Sequence, residues 1–398
     1  MLVVRLDGVG DVLLAGPAVR AVAAGAGRVV VLAGPTGVAA AELLPGVDRV
    51  LEWRAPWIDV EGRPLTPEHA ESLVAMVREV APETAVILTS RHQSSLPTAL
   101  LLRLARVPRI IAISEDEPGS LLDIRHIVDE STDVPEALRM LALVRAAGFE
   151  LPAGDEGRLE VRRPLPEVGH LTGPPGYVVV HPGTTAPARA WPAEHHARAV
   201  KELVLGGLPV VVTGDPDEQA LTARVAGAYG ADLGGVTTLH ELAAVLARAA
   251  AVVVADTGPA HLAAAVGTPV ISLFAPIAPA ARWAPYQVPV ILLGDQDAPC
   301  RASRARECPV PGHPCLSSVT PDQVVATIRD LIATTTPGML RHAVTPAPAD
   351  DRPDATGAPP DDVRTGRDHP VATGAPPDDV RAGGDRPDAT GALPEGVR

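Results

Sequence analysis

The stretch VVVADTGPAHLAAA, Val252–Ala265, decides the fold. An apolar run suited to a buried strand ends at Asp256, and a Thr257-Gly258 turn leads to Pro259, which opens an alanine-rich helix. Proline is tolerated in a first helical turn because the N–H group that it lacks has no helical partner there. The backbone N–H groups at such a helix start form a positive end that suits phosphate. The stretch therefore predicts a strand–turn–helix unit that binds a nucleotide or a nucleotide-sugar diphosphate.

The same alternation of β-branched runs and amphipathic segments continues along most of the chain, which is typical of βα units around parallel sheets. The predicted strands are 2–6, 28–32, 85–88, 109–113, 177–181, 209–213, 251–255 and 269–274. The predicted helices are 11–24, 67–80, 96–105, 135–147, 192–205, 217–228, 239–248, 259–266 and 321–333. Thr320 is expected to cap the last of these helices.

The length of 398 residues favours two domains. We expect an N-terminal Rossmann-like, acceptor-side domain at 1–150, a Pro- and Gly-rich linker at 151–175, and a C-terminal Rossmann-like, nucleotide-sugar-binding domain at 176–336. The segment 337–398 carries ATGAPPDDVR at Ala355–Arg364 and again at Ala372–Arg381. Its Pro, Gly and Asp content cannot bury a core, so we expect a disordered tail. Two α/β halves predict a cleft at the carboxyl ends of their strands.

Composition limits the class of protein. The net charge of −14, without a basic stripe, argues against nucleic-acid binding. The sequence contains no apolar run of the roughly 18 residues that a membrane span requires, and Arg5, Asp7 and Asp11 interrupt any signal-peptide core. We therefore expect a cytoplasmic protein, which leaves open a peripheral position at the inner face of the cell membrane.

The segment RLDGVGD, Arg5–Asp11, joins the first strand to the first helix. Gly8 and Gly10 permit a backbone turn that other residues resist. Asp11 then lies near the helix start and faces the predicted cleft, where it acts either as a general base or as an N-cap. The local sequence alone favours the N-cap.

A second loop, HPGTT, follows the strand that ends at His181. Beyond Gly183, the hydroxyls of Thr184 and Thr185 are suited to phosphate oxygens, and Arg189 can neutralise a phosphate through bidentate hydrogen bonds. The alternative is an ordinary βα turn with a surface arginine.

Two further residues have open interpretations. Glu218 follows a predicted strand and can accept hydrogen bonds from ribose hydroxyls, or, with Asp215 and Asp217, only complement the start of the next helix. His261 lies one turn inside the helix that Pro259 opens, and is either a donor-binding residue or a packed helix histidine.

The three cysteines, Cys300, Cys308 and Cys315, do not make a disulfide framework. With His313 they have the ligand types of a zinc site, but their spacing is looser than that of usual metal knuckles. A reduced, Pro-rich loop is the favoured alternative, and we expect no metal.

Taken together, these blocks resemble glycosyltransferase family 9, the ADP-heptose:lipopolysaccharide heptosyltransferase family. The resemblance extends over about Met1–Ala333. Its matching elements are Arg5-Leu-Asp-x-x-Gly-Asp11, His181-Pro-Gly, Arg189-x-Trp-Pro192, Gly214-x-x-x-Glu218, Asp256-Thr-Gly-Pro-x-His261-Leu, Ala263-Ala-Ala-x-Gly-Thr-Pro269 and the cysteine cluster.

The resemblance implies a GT-B fold, in which two Rossmann-like domains face each other across a cleft. It also implies metal-independent transfer with inversion at the anomeric carbon, and it makes Asp11 the catalytic base rather than a cap. The implied donor-binding residues are Thr184, Thr185, Arg189, Glu218, Asp256, Thr257, Gly258 and His261, and the implied backbone loops contain Gly8, Gly10 and Gly183.

Two residues depart from the family pattern. Arg189 stands where members usually carry lysine, so a planar, forked guanidinium group replaces a compact ammonium charge. Gly8 stands where a basic or bulky residue is common, and this puts the acceptor side in question.

The leading hypothesis is a monomeric enzyme that transfers a heptose or related sugar from an ADP-sugar, with ADP-heptose as the expected donor, to a glycan or lipid-linked acceptor. A non-catalytic nucleotide-sugar-binding protein is the alternative. A GT-B nucleotide-sugar epimerase is less favoured because the ordered motifs match the transferases.

Overall fold

The computed structural model of the protein describes residues 1–59, 62, 64–129 and 131–335. These residues form two parallel β-sheets of six strands each. The strands of the first sheet are β1 (Leu2–Arg5), β2 (Val30–Ala33), β3 (Arg49–Glu52), β4 (Thr84–Ile87), β5 (Arg109–Ile113) and β6 (Ile124–His126). Those of the second sheet are β7 (Val178–His181), β8 (Val210–Gly214), β9 (Ala231–Gly234), β10 (Ala251–Ala255), β11 (Val270–Leu273) and β12 (Val290–Leu293).

Helices connect the strands. The first half of the protein, defined by the first sheet, contains α1 (Val9–Leu14), α2 (Gly16–Gly25), α3 (Val38–Leu43), α4 (Pro67–Val80), α5 (Leu96–Leu104) and α6 (Glu136–Ala146). The second half, defined by the second sheet, contains α7 (Gly169–Thr172), α8 (Ala193–Leu205), α9 (Gln219–Ala226), α10 (Leu239–Ala247), α11 (Gly258–Val266), α12 (Ala280–Trp283), α13 (Pro314–Ser317) and α14 (Pro321–Thr335).

Both sheets have the same strand order. The first is β3-β2-β1-β4-β5-β6, and the second, β12-β11-β10-β7-β8-β9, repeats that order from its other edge. The direction of winding reverses between β1 and β4, and between β7 and β10. In doubly wound sheets this reversal leaves a crevice at the carboxyl ends of the strands, where ligands bind. The fold therefore provides one such crevice in each half.

Burial explains why the apolar runs at the centre of each sheet form strands. Leu2, Val3 and Val4 of β1 are at most 1% exposed, and β10 is buried from end to end. Parallel strands that are covered on both faces read as continuous apolar runs. The prediction of two Rossmann-like α/β halves is confirmed, and all eight predicted strands are present with ends shifted by at most two residues.

Other predicted elements differ in detail. The predicted helix 11–24 is instead two helices, α1 and α2, which divide at Ala15. The predicted cap of α14 is present, because the Thr320 hydroxyl accepts a hydrogen bond of 3.2 Å from the backbone N–H of Gln323. The predicted disordered tail, 337–398, lies outside the described residues.

The expected linker, 151–175, is attached to the first half by partly buried hydrogen bonds. Arg20 of α2 donates two hydrogen bonds, of 2.7 and 2.9 Å, to the Asp155 carboxylate. Arg162 donates a third, of 2.9 Å, to the carbonyl of Leu44. Over the described ranges, none of the helices has both the length and the apolar character that a membrane crossing demands.

Candidate active site

A cavity of about 780 Å³ lies where the carboxyl ends of the two sheets face each other. All twelve residues that the sequence singled out as catalytic, donor-binding or loop residues line it: Gly8, Gly10, Asp11, Gly183, Thr184, Thr185, Arg189, Glu218, Asp256, Thr257, Gly258 and His261. The fold thus brings together loops that follow β1, β7, β8 and β10. The roles of these residues stay predictions.

Asp11 does not cap its helix. Gly8 occupies the N-cap position of α1, with extended backbone angles of φ −79° and ψ −176°, and Asp11 lies in the first turn. The N-cap interpretation, which the local sequence favoured, is therefore wrong. The Asp11 carboxylate, 28% exposed, instead accepts hydrogen bonds from Arg5 Nη2 at 2.8 Å and from the Ser90 hydroxyl at 3.3 Å.

The two halves touch at a pair of glycines beside Asp11. Helix α1 packs against α11 of the second half. A Cβ atom placed on Gly10 would lie 2.8 Å from Cδ2 of His261 and 3.4 Å from Cα of Gly258. Carbon atoms attract best at about 3.5–4.0 Å, so only glycine allows this approach. The contact brings α1, the helix that carries Asp11, against the start of α11.

The start of α11 is a polar corner of the cavity. Thr257 is extended, with φ −149° and ψ 173°, and its side chain accepts no capping hydrogen bond from the helix. The buried Asp256 lies beside Arg189, whose Nη1 donates to the Asp256 carbonyl at 3.0 Å and whose Nε is 3.6 Å from the carboxylate. Arg189 therefore has one edge fixed on the protein and remains 31% exposed at the cavity.

Burial is the main influence on the pKa values of Asp256 and His261. Burial raises the pKa of Asp256, and the charge of Asp11 raises it further, while Arg189 and His261 oppose the rise. Burial also lowers the pKa of His261, although Asp256 partly offsets this effect. Asp11 and Asp256 line the cavity from opposite halves.

Glu218 supports the start of the next helix, one of the two interpretations that its sequence left open, and its ribose role stays a prediction. Its carboxylate accepts a hydrogen bond of 2.9 Å from the backbone N–H of Asp215, which supports the turn before α9, and it also lines the cavity. His181 is buried, its Nδ1 lies 3.0 Å from the Thr213 hydroxyl, and burial lowers its pKa to about 4. A Cβ atom on Gly183 would overlap the Glu218 carboxylate, so this glycine leaves the space that Glu218 occupies.

The loop after β7, which carries Thr184 and Thr185, is held by hydrogen bonds between a side chain and its own backbone. The Thr184 hydroxyl accepts from the N–H of Ala186 at 3.3 Å and lies 3.4 Å from its carbonyl. Thr184 and Thr185 both line the cavity. The contacts with Ala186 fix the Thr184 hydroxyl at the wall of the cavity.

Several residues of the site were missed from the sequence. Arg5 and Ser90 contact Asp11, and Arg54, Trp283 and Arg306 line the cavity. Arg5 had a usable signal, since a charged residue ends an otherwise apolar buried strand. The others carry no local pattern, because tertiary packing, within one sheet or between the two halves, brings them to the site.

The geometry of the cysteine cluster gives no support to the alternative zinc site, and the expectation of no metal stays a prediction. All three cysteines are free, and Nε2 of His313 lies 3.0 Å from the carbonyl of Ala188. Burial and the two neighbouring thiols raise the pKa of Cys315 to about 12. Across the ranges with described coordinates, no three His, Cys, Asp or Glu side chains are grouped so that they could hold a metal ion.

Two doubly wound sheets that face each other across a ligand-sized cleft define the GT-B class of α/β protein, as the sequence predicted. The chain belongs to glycosyltransferase family 9 (heptosyltransferase), whose family model matches residues 83–313.

Comparison with individual proteins supports the same assignment. The chain is 28% identical to lipopolysaccharide heptosyltransferase 3 of Escherichia coli over 222 residues, which cover 54% of this chain and 62% of that protein. Less than two thirds of the length of that relative is therefore matched.

Solved structures match more of the chain. The structure of E. coli ADP-heptose lps heptosyltransferase II superposes with a TM-score of 0.67 at 19% identity, and covers 83% of this chain and 98% of that one. The iron-containing dodecameric glycosyltransferase TibC of enterotoxigenic E. coli matches with a TM-score of 0.50 at 14% identity, over 83% and 75% of the two chains. At these identities the likeness concerns the fold.

Proposed function

We propose that the protein is an inverting glycosyltransferase that moves a heptose or related sugar from an ADP-sugar to a hydroxyl group of a glycan or lipid-linked acceptor. Family membership and the named relatives support the reaction class. The single observation that carries the proposal is that the Asp11 carboxylate and the start of α11 line the same cavity from opposite halves.

In this mechanism Asp11 is the general base. Its carboxylate removes the proton of the acceptor hydroxyl as the oxygen attacks the anomeric carbon from the face opposite the diphosphate. A base must be partly accessible and held in place. The 28% exposure of Asp11 and its hydrogen bonds to Arg5 and Ser90 meet both conditions.

The second half stabilises the departing diphosphate. Charge grows on that group as the glycosidic bond breaks, so positioned donors lower the barrier. The start of α11 carries about half a positive charge, and Arg189 and Arg306 add two guanidinium groups at the cavity wall. In the proposal these positive groups balance the negative charge of the diphosphate without a divalent cation.

The remaining walls suit the other parts of the substrates. In the proposal Glu218 accepts hydrogen bonds from the ribose hydroxyls. Leu239 and Leu242, which also line the cavity, provide an apolar surface for the adenine ring. Thr36 and Arg54 of the first half line the acceptor side. Because one chain supplies both halves of the cavity, we expect the monomer to be active.

The proposal is tested with a donor panel of ADP-heptose and UDP- and GDP-sugars, cell-envelope extract as the acceptor source, and mass spectrometry of the product. ADP-heptose should be turned over in preference to the others, equally with and without EDTA. The absence of turnover with every donor would refute the proposal. An EDTA-induced loss that added metal restores would refute its metal-free part.

Asp11→Asn separates catalysis from binding. Loss of a general base lowers the rate by about 10²–10⁴-fold, while ADP affinity measured by calorimetry should stay within about threefold of wild type, a small change in binding free energy. The control is Asp48→Asn: the Asp48 side chain accepts a hydrogen bond of 2.7 Å from the N–H of Val29, at the amino end of the sheet. Normal activity of Asp11→Asn would remove Asp11 from the base role.

A further inference from the structure

The turn that carries Arg189 is held from outside by a neighbouring loop, residues 300–315, called here the cysteine loop. Ala188, the residue before Arg189, is completely buried. Its backbone N–H donates a hydrogen bond of 2.9 Å to the carbonyl of Arg306, and its own carbonyl accepts one of 3.0 Å from Nε2 of His313. Because a carbonyl only accepts, the His313 ring carries a hydrogen on Nε2. Both polar backbone groups of Ala188 are therefore bound to the cysteine loop.

The cysteine loop is anchored at both ends and strained between them. Cys300 and Cys315 are 1% and 0% exposed and pack in the core of the second half. Between them, three residues other than glycine, Ala302, Arg304 and His313, have positive φ angles of 57°, 56° and 49°. Such backbone strain persists only where surrounding contacts enforce it, and it is concentrated at functional sites. Tertiary contacts, rather than the preferences of its own residues, thus fix the conformation of this loop.

The same loop brings a second arginine to the cavity. Arg306 lines the cavity, as Arg189 does. Within the described ranges the guanidinium of Arg306 forms no hydrogen bond or ion pair, whereas Nη1 of Arg189 donates to the Asp256 carbonyl at 3.0 Å. Since the N–H of Ala188 binds the carbonyl of Arg306, the backbones of the two arginines are tied to each other. One hydrogen-bonded unit therefore presents two cations at the wall of the cavity.

A diphosphate matches such a pair of cations. Each guanidinium is a planar fork that binds phosphate oxygens through bidentate hydrogen bonds. Two forks on one fixed unit can engage two phosphate groups that a bridging oxygen joins. The loss of one fork, or of a hydrogen bond that holds the unit together, weakens this match. A nucleoside without phosphate makes none of these contacts, so its binding should not respond.

We propose that the cysteine loop clamps the diphosphate of the donor: Arg306 binds phosphate oxygens directly, and His313 is a positioning residue for Arg189. His313 acts through the Ala188 peptide, whose carbonyl it holds. The inference rests on the proposed nucleotide-sugar donor. It adds a role for a loop that the sequence singled out only for its three cysteines.

The experiment compares His313→Ala, His313→Gln and Arg306→Met with wild type. Affinities for ADP and inorganic pyrophosphate are measured by calorimetry, and that for adenosine by ligand-observed NMR. We expect His313→Ala and Arg306→Met to bind ADP and pyrophosphate about tenfold more weakly, the size of one hydrogen bond to a charged group. Adenosine affinity should stay within about threefold of wild type. His313→Gln keeps an N–H donor for the Ala188 carbonyl and should recover most of the ADP affinity.

A double variant shows whether His313 acts through Arg189. Arg189→Met removes the guanidinium that His313 positions, so in that background His313→Ala should weaken ADP binding by less than about threefold. Two independent effects would instead multiply. A full tenfold further loss in the double variant would overturn the positioning role.

Ser317→Ala is the matched control for His313→Ala. The Ser317 hydroxyl donates a hydrogen bond of 2.9 Å to the carbonyl of Gly312, so it supports the end of the same loop without holding Ala188. This control should keep wild-type ADP affinity. A tenfold loss in Ser317→Ala, or equal losses of ADP and adenosine affinity in His313→Ala, would show a general disturbance of the pocket and overturn the inference.

Arg301→Met is the matched control for Arg306→Met. Arg301 belongs to the cysteine loop, donates to Asp297 at 3.0 Å, and is not part of the cavity lining among the described residues. It removes the same charge from the loop and should leave ADP affinity unchanged. An equal loss in both variants would mean that only the net charge of the loop matters, which contradicts a direct phosphate contact.

Other outcomes separate the inference from the proposed function. If wild type binds ADP but turns over none of the donors, the proposed function fails, while the ADP and pyrophosphate affinities of the variants still decide the inference. Pyrophosphate tests the clamp whichever nucleoside the donor carries. Unchanged affinities in Arg306→Met would refute its phosphate contact, and unchanged affinities in His313→Ala would refute its positioning role. A wild type that binds neither ADP nor pyrophosphate would refute the clamp as a whole.

Discussion

Gly10→Ala tests the closest contact between the two halves. Gly10 lies inside α1, so alanine suits its backbone and should favour the helix by up to about 1 kcal/mol. The new methyl group would lie 2.8 Å from Cδ2 of His261. Carbon atoms in contact prefer about 3.5–4.0 Å. The start of α11 and the Asp11 helix must therefore separate by roughly 0.7–1.2 Å.

This separation should be visible in catalysis and nearly invisible in stability. A misplacement of about 1 Å can lower the rate about 10²-fold, so we expect kcat/KM for donor turnover to fall by that factor. The free energy of unfolding, from urea titration, should stay within about 1 kcal/mol of wild type. ADP affinity should change little, because the donor-binding loops belong to the second half.

The matched control is Gly16→Ala. Gly16 begins α2, and a Cβ atom there would lie 3.4 Å from Cδ2 of Leu44, at the end of a flexible side chain. This variant should retain full activity. The double variant Gly10→Ala/His261→Ala should lose less activity than the product of the two single effects, because His261 supplies the closest obstructing atom. Wild-type kcat/KM in Gly10→Ala would refute the close, rigid contact.

Two further predictions concern the second half. Gly183→Ala places a methyl group on the Glu218 carboxylate, so the carboxylate must move; calorimetry should show ADP binding about tenfold weaker, as expected for loss of a hydrogen bond to a charged group. Gly27→Ala, where the added methyl group meets open space, is the control, and undiminished ADP affinity in Gly183→Ala would contradict the ribose role. Burial lowers the pKa of His196 to about 3, whereas the unfolded chain protonates its histidines near pH 6.5. The unfolded state then binds more protons, so this contribution to stability is present above about pH 6.5 and is lost as the pH falls toward 3. In His196→Phe, which keeps a ring against Trp191, the decrease in unfolding free energy between pH 8 and pH 5 should be smaller by about 2 kcal/mol; an unchanged decrease would mean that His196 is protonated in the folded protein.

The central strands could be predicted because both of their faces are buried. The eight predicted strands are the four inner strands of each sheet, where nearly every residue must be apolar. The four missed strands, β3, β6, β9 and β12, are the edge strands. They are partly exposed along their length, as the fully intermediate burial of Ile124–His126 shows. Solvent on one side removes the apolar run that marks a strand.

The sequence by itself determined which loops line the cavity. Gly8, Asp11, Gly183, Glu218 and the stretch Asp256–Gly258 could be placed at the carboxyl ends of strands, because strand, turn and helix signals are local. It did not determine the position of Asp11 in its helix: Gly8 is the N-cap residue, and Asp11 lies in the first turn.

Only the tertiary structure decided what surrounds Asp11. Arg5 and Ser90 are 85 residues apart in sequence, and Glu136 and Arg282 are 146 apart. Their contacts arise when adjacent strands align within one sheet and when α12 of one half packs on the other. Such contacts depend on the burial of whole faces rather than on any short pattern, so no local signal in the sequence records them.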